Sequence, residues 1–229
     1  ENTIRFPEID LDSLLLGIDR IRIIACGTAL HAGVVGKYLL EKLTRIPTEA
    51  DYASEFRYRD PIVSDKTLVI VISQSGETLD TLAAMREASQ RGGRILAIVN
   101  VVGSSIAREA GSVIYTGAGP EISVASTKAY NTQLAALSLL AVEIGHRNGH
   151  LDESEYVRYI TELEKLPGIL EQTLAAKDEI QRFASQHFNA RSIFFMGRGL
   201  DYALAMESSL KLKEISYIHP EISLSLSED

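Results

Sequence analysis

A doubly wound, three-layer αβα sheet of parallel strands is the fold class this sequence predicts, and three observations predict it. Near-continuous apolar runs of strand length recur, as in Leu68-Val69-Ile70-Val71-Ile72, which is how strands covered on both faces read. Each run ends in a polar or glycine turn, among them Cys26-Gly27-Thr28 and Ser73-Gln74-Ser75-Gly76. Each turn leads into apolar residues at helical spacing. Such alternation implies right-handed crossovers, helices on both faces and ligands outside the carboxyl ends of the strands.

The first strand is read over Arg20–Cys26, short and rich in β-branched residues, and the helix after it over Ala29–Leu43. Thr67–Ile72 is a buried strand ending at Ser73. A helix follows from Thr78 to Arg91, where Gly92-Gly93 stops it. Ile95–Val99 is the next buried strand and ends at Asn100. A short helix begins at Gly103-Ser104-Ser105, Ser112–Tyr115 is a fourth strand, and a long helix runs from about Ser126 to Gly145. Gly149-His150-Leu151-Asp152 marks a domain edge, giving a first unit over residues 1–150 and a second over 151–229. The second unit is helical in pattern to about His187, interrupted at Pro167-Gly168. Arg191–Gly199 then repeats the strand and glycine turn seen around Gly27, and Tyr202–Ile218 reads as helix. Too few residues remain for a second sheet of ordinary size, so this is the truncated start of another α/β unit.

Composition narrows the partners. The 229 residues carry 23 Lys plus Arg against 31 Asp plus Glu, a net charge of −8, with no basic stripe, which disfavours nucleic acid and anionic membrane surfaces. A single cysteine, Cys26, excludes an intrachain disulfide. With no signal-peptide pattern, the cytoplasm is the expected setting. Apolar runs fall far short of the roughly 18 residues a membrane span needs. Following an apolar strand with no nearby histidine, Cys26 is expected to be a buried, inert thiol. His146 and His150 stand at i, i+4 near a helix end, but two ligands do not make a metal site, so no metal and no cofactor is expected.

Three strand-to-helix turns carry the chemistry. Ser73-Gln74-Ser75-Gly76-Glu77-Thr78 combines hydroxyls with the free amides and positive dipole end of a helix start, which suits an anion. It lacks both the Gly-Lys-Ser/Thr ending of a nucleotide loop and the dinucleotide glycine pattern, so a compact phosphate fits better. Ser and Thr there also serve as ordinary helix caps. Ser123-Val124-Ala125-Ser126-Thr127-Lys128 and Cys26-Gly27-Thr28-Ala29 are the other two turns, and together the three can line a pocket for a polyol phosphate. Further on, Glu207, Lys211 and Glu214 recur at i, i+4 and i+7 and share one stripe of a helix. A carboxylate beside an ammonium there is either a surface ion pair or a general base, with Glu214 or Glu207 as the candidate.

Four segments, Ala53–Arg59, Ser73–Thr78, Val124–Lys128 and Lys211–His219, closely resemble the isomerase part of the glutamine–fructose-6-phosphate aminotransferase family. The Ser-Gln-Ser-Gly-Glu-Thr loop alone resembles any sugar isomerase (SIS) domain. The resemblance implies a flavodoxin-like SIS fold, a homodimer, and conversion of fructose 6-phosphate and glutamine into glucosamine 6-phosphate and glutamate. Glutamine is hydrolysed in that family by a separate domain absent from this chain. It further implies that Ser73, Gln74, Ser75 and Thr78 hold the phosphate and that Thr28, Val124 and Ser126 hold the sugar. Glu214 would be the base for the C1–C2 proton transfer, with Glu207 and Lys211 beside it. Two departures stand out. Ala29 replaces a hydroxyl common in the family, so one ligand contact is expected to be missing. The family's ring-opening His and Schiff-base Lys match nothing up to Asp229, and Ile222–Asp229 alternates apolar and Ser residues as an edge strand or an artificial tail does. Binding is therefore expected to outlast turnover. A non-catalytic sugar-phosphate sensor built on an SIS domain is the alternative.

Overall fold

Five parallel strands form one sheet in the computed structural model, which describes residues 3–224. In chain order the elements are α1 (Leu11–Leu15), β1 (Arg20–Ala25), α2 (Gly27–Thr44), β2 (Thr48–Tyr52), α3 (Ala53–Phe56), β3 (Thr67–Ser73), α4 (Leu79–Gln90), β4 (Arg94–Val99), α5 (Ser105–Glu109), β5 (Val113–Tyr115) and α6 (Lys128–Arg147). There follow α7 (Glu153–Glu164), α8 (Leu166–Leu174), α9 (Lys177–His187), β6 (Ser192–Gly197), α10 (Leu200–Ser216) and β7 (His219–Leu224). The sheet order is β2-β1-β3-β4-β5, with Ile23 of β1 opposite Ile70 of β3 and Ile70 opposite Leu96 of β4.

Alternation along each strand builds the layers. Ile21, Ile23, Leu68, Ile70, Ile72, Leu96 and Ile98 face one way, into a core closed by α2, α6 and α7. Their neighbours Ile24, Val69, Val71, Ala97 and Val99 face the other way, against Phe56 of α3, Leu82 and Met85 of α4 and Ile106 of α5. Every residue of β3 is buried, as its two-sided apolar run requires. Close approach of α2 to α6 depends on Gly36, where a Cβ would lie 2.9 Å from Leu137 Cδ2.

Beyond the sheet, Asp152 and Glu155 form a reciprocal capping box that starts α7, and Pro167 sits in the first turn of α8. The chain then returns: α10 packs against α2, where Glu207 bonds to Thr28 and His31, and against β6 and β7, with Ala203, Ala205, Glu207 and Ser209 buried. β6 and β7 pair in parallel as a two-stranded sheet. Ile222–Leu224 therefore lie in a strand, while residues 225–229 of the expected tail fall outside the described residues.

The structure adds α1, β2 and α3, which periodicity did not predict. Thr48-Glu49-Ala50-Asp51-Tyr52 has no apolar run because β2 is an edge strand, paired with β1 alone. Cys26 departs from expectation too. It is only half-buried, since it stands just past the carboxyl end of β1, where the sheet edge opens. No helix among the described residues is long and apolar enough to cross a membrane.

Candidate functional site

A cleft of about 260 Å³ opens at the carboxyl edge of the sheet, between the ends of β1 and β3. Strand order reverses there, with α2 rising from β1 on one face and α4 rising from β3 on the other, which is where doubly wound sheets place their ligands. Thr28, Ser73, Gln74, Ser75, Thr78, Val124, Ser126, Lys211 and Glu214 all line it. Three turns and one distant helix thus meet as the residue types suggested. Glu207 does not line the cleft. It lies beneath, 6% exposed.

The Ser73–Thr78 turn is fixed by its own side chains. Ser73 Oγ accepts from Gly76 N at 3.0 Å and lies 3.1 Å from Thr78 Oγ1, and Ser75 Oγ accepts from Glu77 N at 3.2 Å. A neighbouring loop braces it: Gln74 O accepts from Asn100 N, and Glu77 Oε1 accepts from Ser105 N at 2.8 Å. That last bond holds the exposed Glu77 carboxyl below the usual carboxylate range. Thr78 caps α4 without a side-chain bond, leaving the first-turn amides of that helix with no intrahelical acceptor. Hydroxyls and amides at a positive dipole end therefore face the cleft, the donor set a phosphate takes.

On the opposite wall, Glu121 accepts from the Ser126 hydroxyl and from Ser123 N, which keeps its carboxyl below the usual range and shapes the segment that carries Val124. The cleft cation is Lys211, with Nζ 2.6 Å from Glu214 Oε2 and 3.6 Å from Glu207 Oε1. Glu207 is also held from α2: Thr28 Oγ1 donates to its Oε1 at 3.0 Å, and His31 Nδ1 lies 2.7 Å from its Oε2. Because a carboxylate oxygen only accepts, His31 Nδ1 carries the proton of that bond. Burial, then the charge of Glu207, push the Tyr130 phenol up to about 12.

Local patterns did not single out His31, Glu121 or Gln133. Glu121 and Gln133 line the cleft, and Gln133 is buried with Oε1 unpartnered. A polar residue on the buried face of a long apolar helix was the signal available for Gln133. Ala29 lines the cleft and brings no hydroxyl to it. His146 stacks on Tyr156 with ring centroids 4.2 Å apart and its Nδ1 3.3 Å from Leu151 O. Among the described residues, no group of three His, Cys, Asp or Glu could hold a metal ion.

The SIS domain family model matches residues 14–143 and 188–227, spanning both the sheet and α10. The chain belongs to the SIS domain family. Its curated relatives include the glutamine–fructose-6-phosphate aminotransferases (isomerising) of Caldanaerobacter subterraneus subsp. tengcongensis, 60% identical over 204 residues, and of Clostridium perfringens, 54% identical over 224 residues. These alignments cover 89% and 93% of this SIS chain. The chain spans about a third of the relatives' length, 34% and 36%. Among solved structures, the C-terminal domain of glucosamine-fructose-6-phosphate aminotransferase from Francisella tularensis matches with a TM-score of 0.94 at 38% identity, covering 97% of this chain and 63% of that one. A crystal structure of a protein from Silicibacter pomeroyi matches with a TM-score of 0.75 at 28% identity over 90% of this chain and 60% of that one.

Proposed function

We propose that this SIS domain is the fructose-6-phosphate-binding isomerase portion of a glutamine–fructose-6-phosphate aminotransferase, dividing near residue 150 into a first SIS unit and the beginning of a second. The observation that carries the reading is the meeting of the Ser73–Thr78 turn, the Val124–Ser126 segment and the Lys211–Glu214 pair around one cleft. The turn supplies hydroxyls and helix-start amides for the phosphate, so the sugar chain extends toward Thr28 and Val124. Glu214 is the base of this reading. Its carboxylate takes the C1 proton of the open-chain sugar, and the C–H electron pair forms a C1=C2 bond as the carbonyl electrons shift to O2. As the C1 hydroxyl proton passes to O2, the same carboxylate returns its proton to C2, leaving an aldehyde at C1 and so converting ketose to aldose. Lys211, 2.6 Å from Glu214, balances the charge that builds on oxygen during the transfer. Glu207, beneath the cleft, acts through Lys211 and Thr28 and is a positioning residue.

Ligand binding, rather than turnover, is the property proposed for the chain alone. A cytoplasmic setting and a homodimer go with the likeness to the aminotransferases and rest on it. Isothermal titration with fructose 6-phosphate tests the reading, with inorganic phosphate as comparator. Saturable binding at least tenfold tighter than phosphate is the expected result. No fructose 6-phosphate binding by a chain whose circular dichroism is that of a folded α/β protein would overturn it.

A further inference from the structure

Four polar groups form a ladder from the buried face of α2 up to the cleft: His31, Glu207, Lys211 and Glu214, with Thr28 joining at Glu207. The lower rungs are dry, with His31 8% exposed and Glu207 6%. Each oxygen of Glu207 has a separate duty. Oε2 lies against His31 Nδ1 at 2.7 Å, while Oε1 accepts from Thr28 Oγ1 at 3.0 Å and faces Lys211 Nζ at 3.6 Å. A carboxylate pinned at one oxygen cannot rotate the other away, so the His31 bond sets where Oε1 stands. Thr28 has one hydroxyl proton, and that proton is committed to Glu207.

We propose that His31 is the positioning residue for the sugar end of the cleft, holding Glu207 so that the Thr28 hydroxyl presents only lone pairs to the ligand and accepts from a sugar hydroxyl. This inference rests on the reading of the cleft as a sugar-phosphate site. Its chemistry is specific: the cleft discriminates at Thr28 for a ligand that carries a hydroxyl donor there, while the phosphate is held by a different turn. The surroundings support the assignment. His31 and Glu207 are both nearly closed to solvent, and burial and then the Glu207 charge raise the Tyr130 phenol nearby, so the contact between His31 and Glu207 is poorly screened.

Two substitutions separate the hydrogen bond from the packing. His31→Leu keeps much of the volume and removes the donor. His31→Asn places an amide nitrogen at the same number of bonds from the backbone as Nδ1 and keeps the donor. By titration, His31→Leu is expected to weaken fructose 6-phosphate binding about tenfold and to change inorganic phosphate binding less than twofold, and His31→Asn to restore fructose 6-phosphate binding to within about threefold of the unmodified chain. Where the leucine variant does not fold, His31→Gln, whose amide overshoots by one bond, serves with the same loss expected. Unchanged fructose 6-phosphate affinity in the donor-less variant overturns the inference. So does an equal loss for both ligands, or a loss that asparagine fails to repair. Absence of fructose 6-phosphate binding by the unmodified chain overturns the reading of the cleft and this inference with it, which distinguishes the two failures.

Discussion

Replacing Gly76 with alanine tests how the Ser73–Thr78 turn is built. Gly76 has φ +66°, in the left-handed region, and a Cβ there would stand 2.0 Å from Ser104 Oγ and 2.5 Å from Ser104 Cβ. A left-handed alanine costs about 1–2 kcal/mol. Rotating the Ser104 hydroxyl relieves the first contact but not the second, because Cβ is fixed to a backbone pinned by Ile106 N donating to Gly76 O at 3.0 Å. Such overpacking costs about 1–3 kcal/mol, bringing the total to about 2–5 kcal/mol. For a chain of this length that lowers Tm by roughly 4–20 °C. Urea unfolding followed by circular dichroism measures it, with the midpoint moving and the slope unchanged. Adding Ser104→Gly removes the clash, since Ser104 caps α5 without a side-chain bond and its hydroxyl has no partner. The double variant should regain the steric share and keep only the backbone cost plus a few tenths of a kcal/mol. A Gly76→Ala chain within about 0.5 kcal/mol of the parent, or a double variant no more stable than the single one, refutes the reasoning.

Ser75→Ala combined with Thr78→Ala removes two cleft hydroxyls proposed to hold the phosphate, at about 1.5 kcal/mol or more each, so calorimetric affinity for fructose 6-phosphate should fall roughly a hundredfold or further. Glu214→Gln should leave that affinity within roughly tenfold and abolish any exchange of the C1 proton with deuterated solvent, followed by proton NMR. Tyr130→Phe deletes a buried hydroxyl without a partner, so stability at pH 7 should hold or rise by about 1 kcal/mol. Its pH dependence has a fixed sign. The phenol ionises at about 12 when folded and near 10 when unfolded, so the unfolded chain holds fewer protons between those values. The Tyr130 contribution is thus complete below pH ~10 and lost as pH rises toward ~12, and denaturation curves of Tyr130→Phe should decline less steeply over that window.

Much of the fold was legible because the sheet is covered on both faces. β3 could only read as an unbroken apolar run, and each turn after a strand announced itself through Gly, Ser or Thr. The edge strand β2 had no such signature: Glu49 and Asp51 sit among its five residues, and pairing with β1 is what makes it a strand. The helices α1 and α3, of five and four residues, are too short to show a period. At the cleft, i, i+4, i+7 spacing was enough to group Glu207, Lys211 and Glu214. That stripe could not say that Glu207 turns inward while Glu214 faces the opening. His31 escaped for the same reason, since its partner Glu207 is 176 residues away and the contact exists only once α10 lies on α2.

A crystal structure of the chain with fructose 6-phosphate tests the central claim most directly. The account predicts phosphate oxygens within hydrogen-bond distance of the Ser73, Ser75 and Thr78 hydroxyls and of the first amides of α4, with the sugar carbons running toward Thr28 and C1 and C2 beside Glu214. Fructose 6-phosphate bound anywhere else, or bound in this cleft with its phosphate away from the Ser73–Thr78 turn, contradicts it.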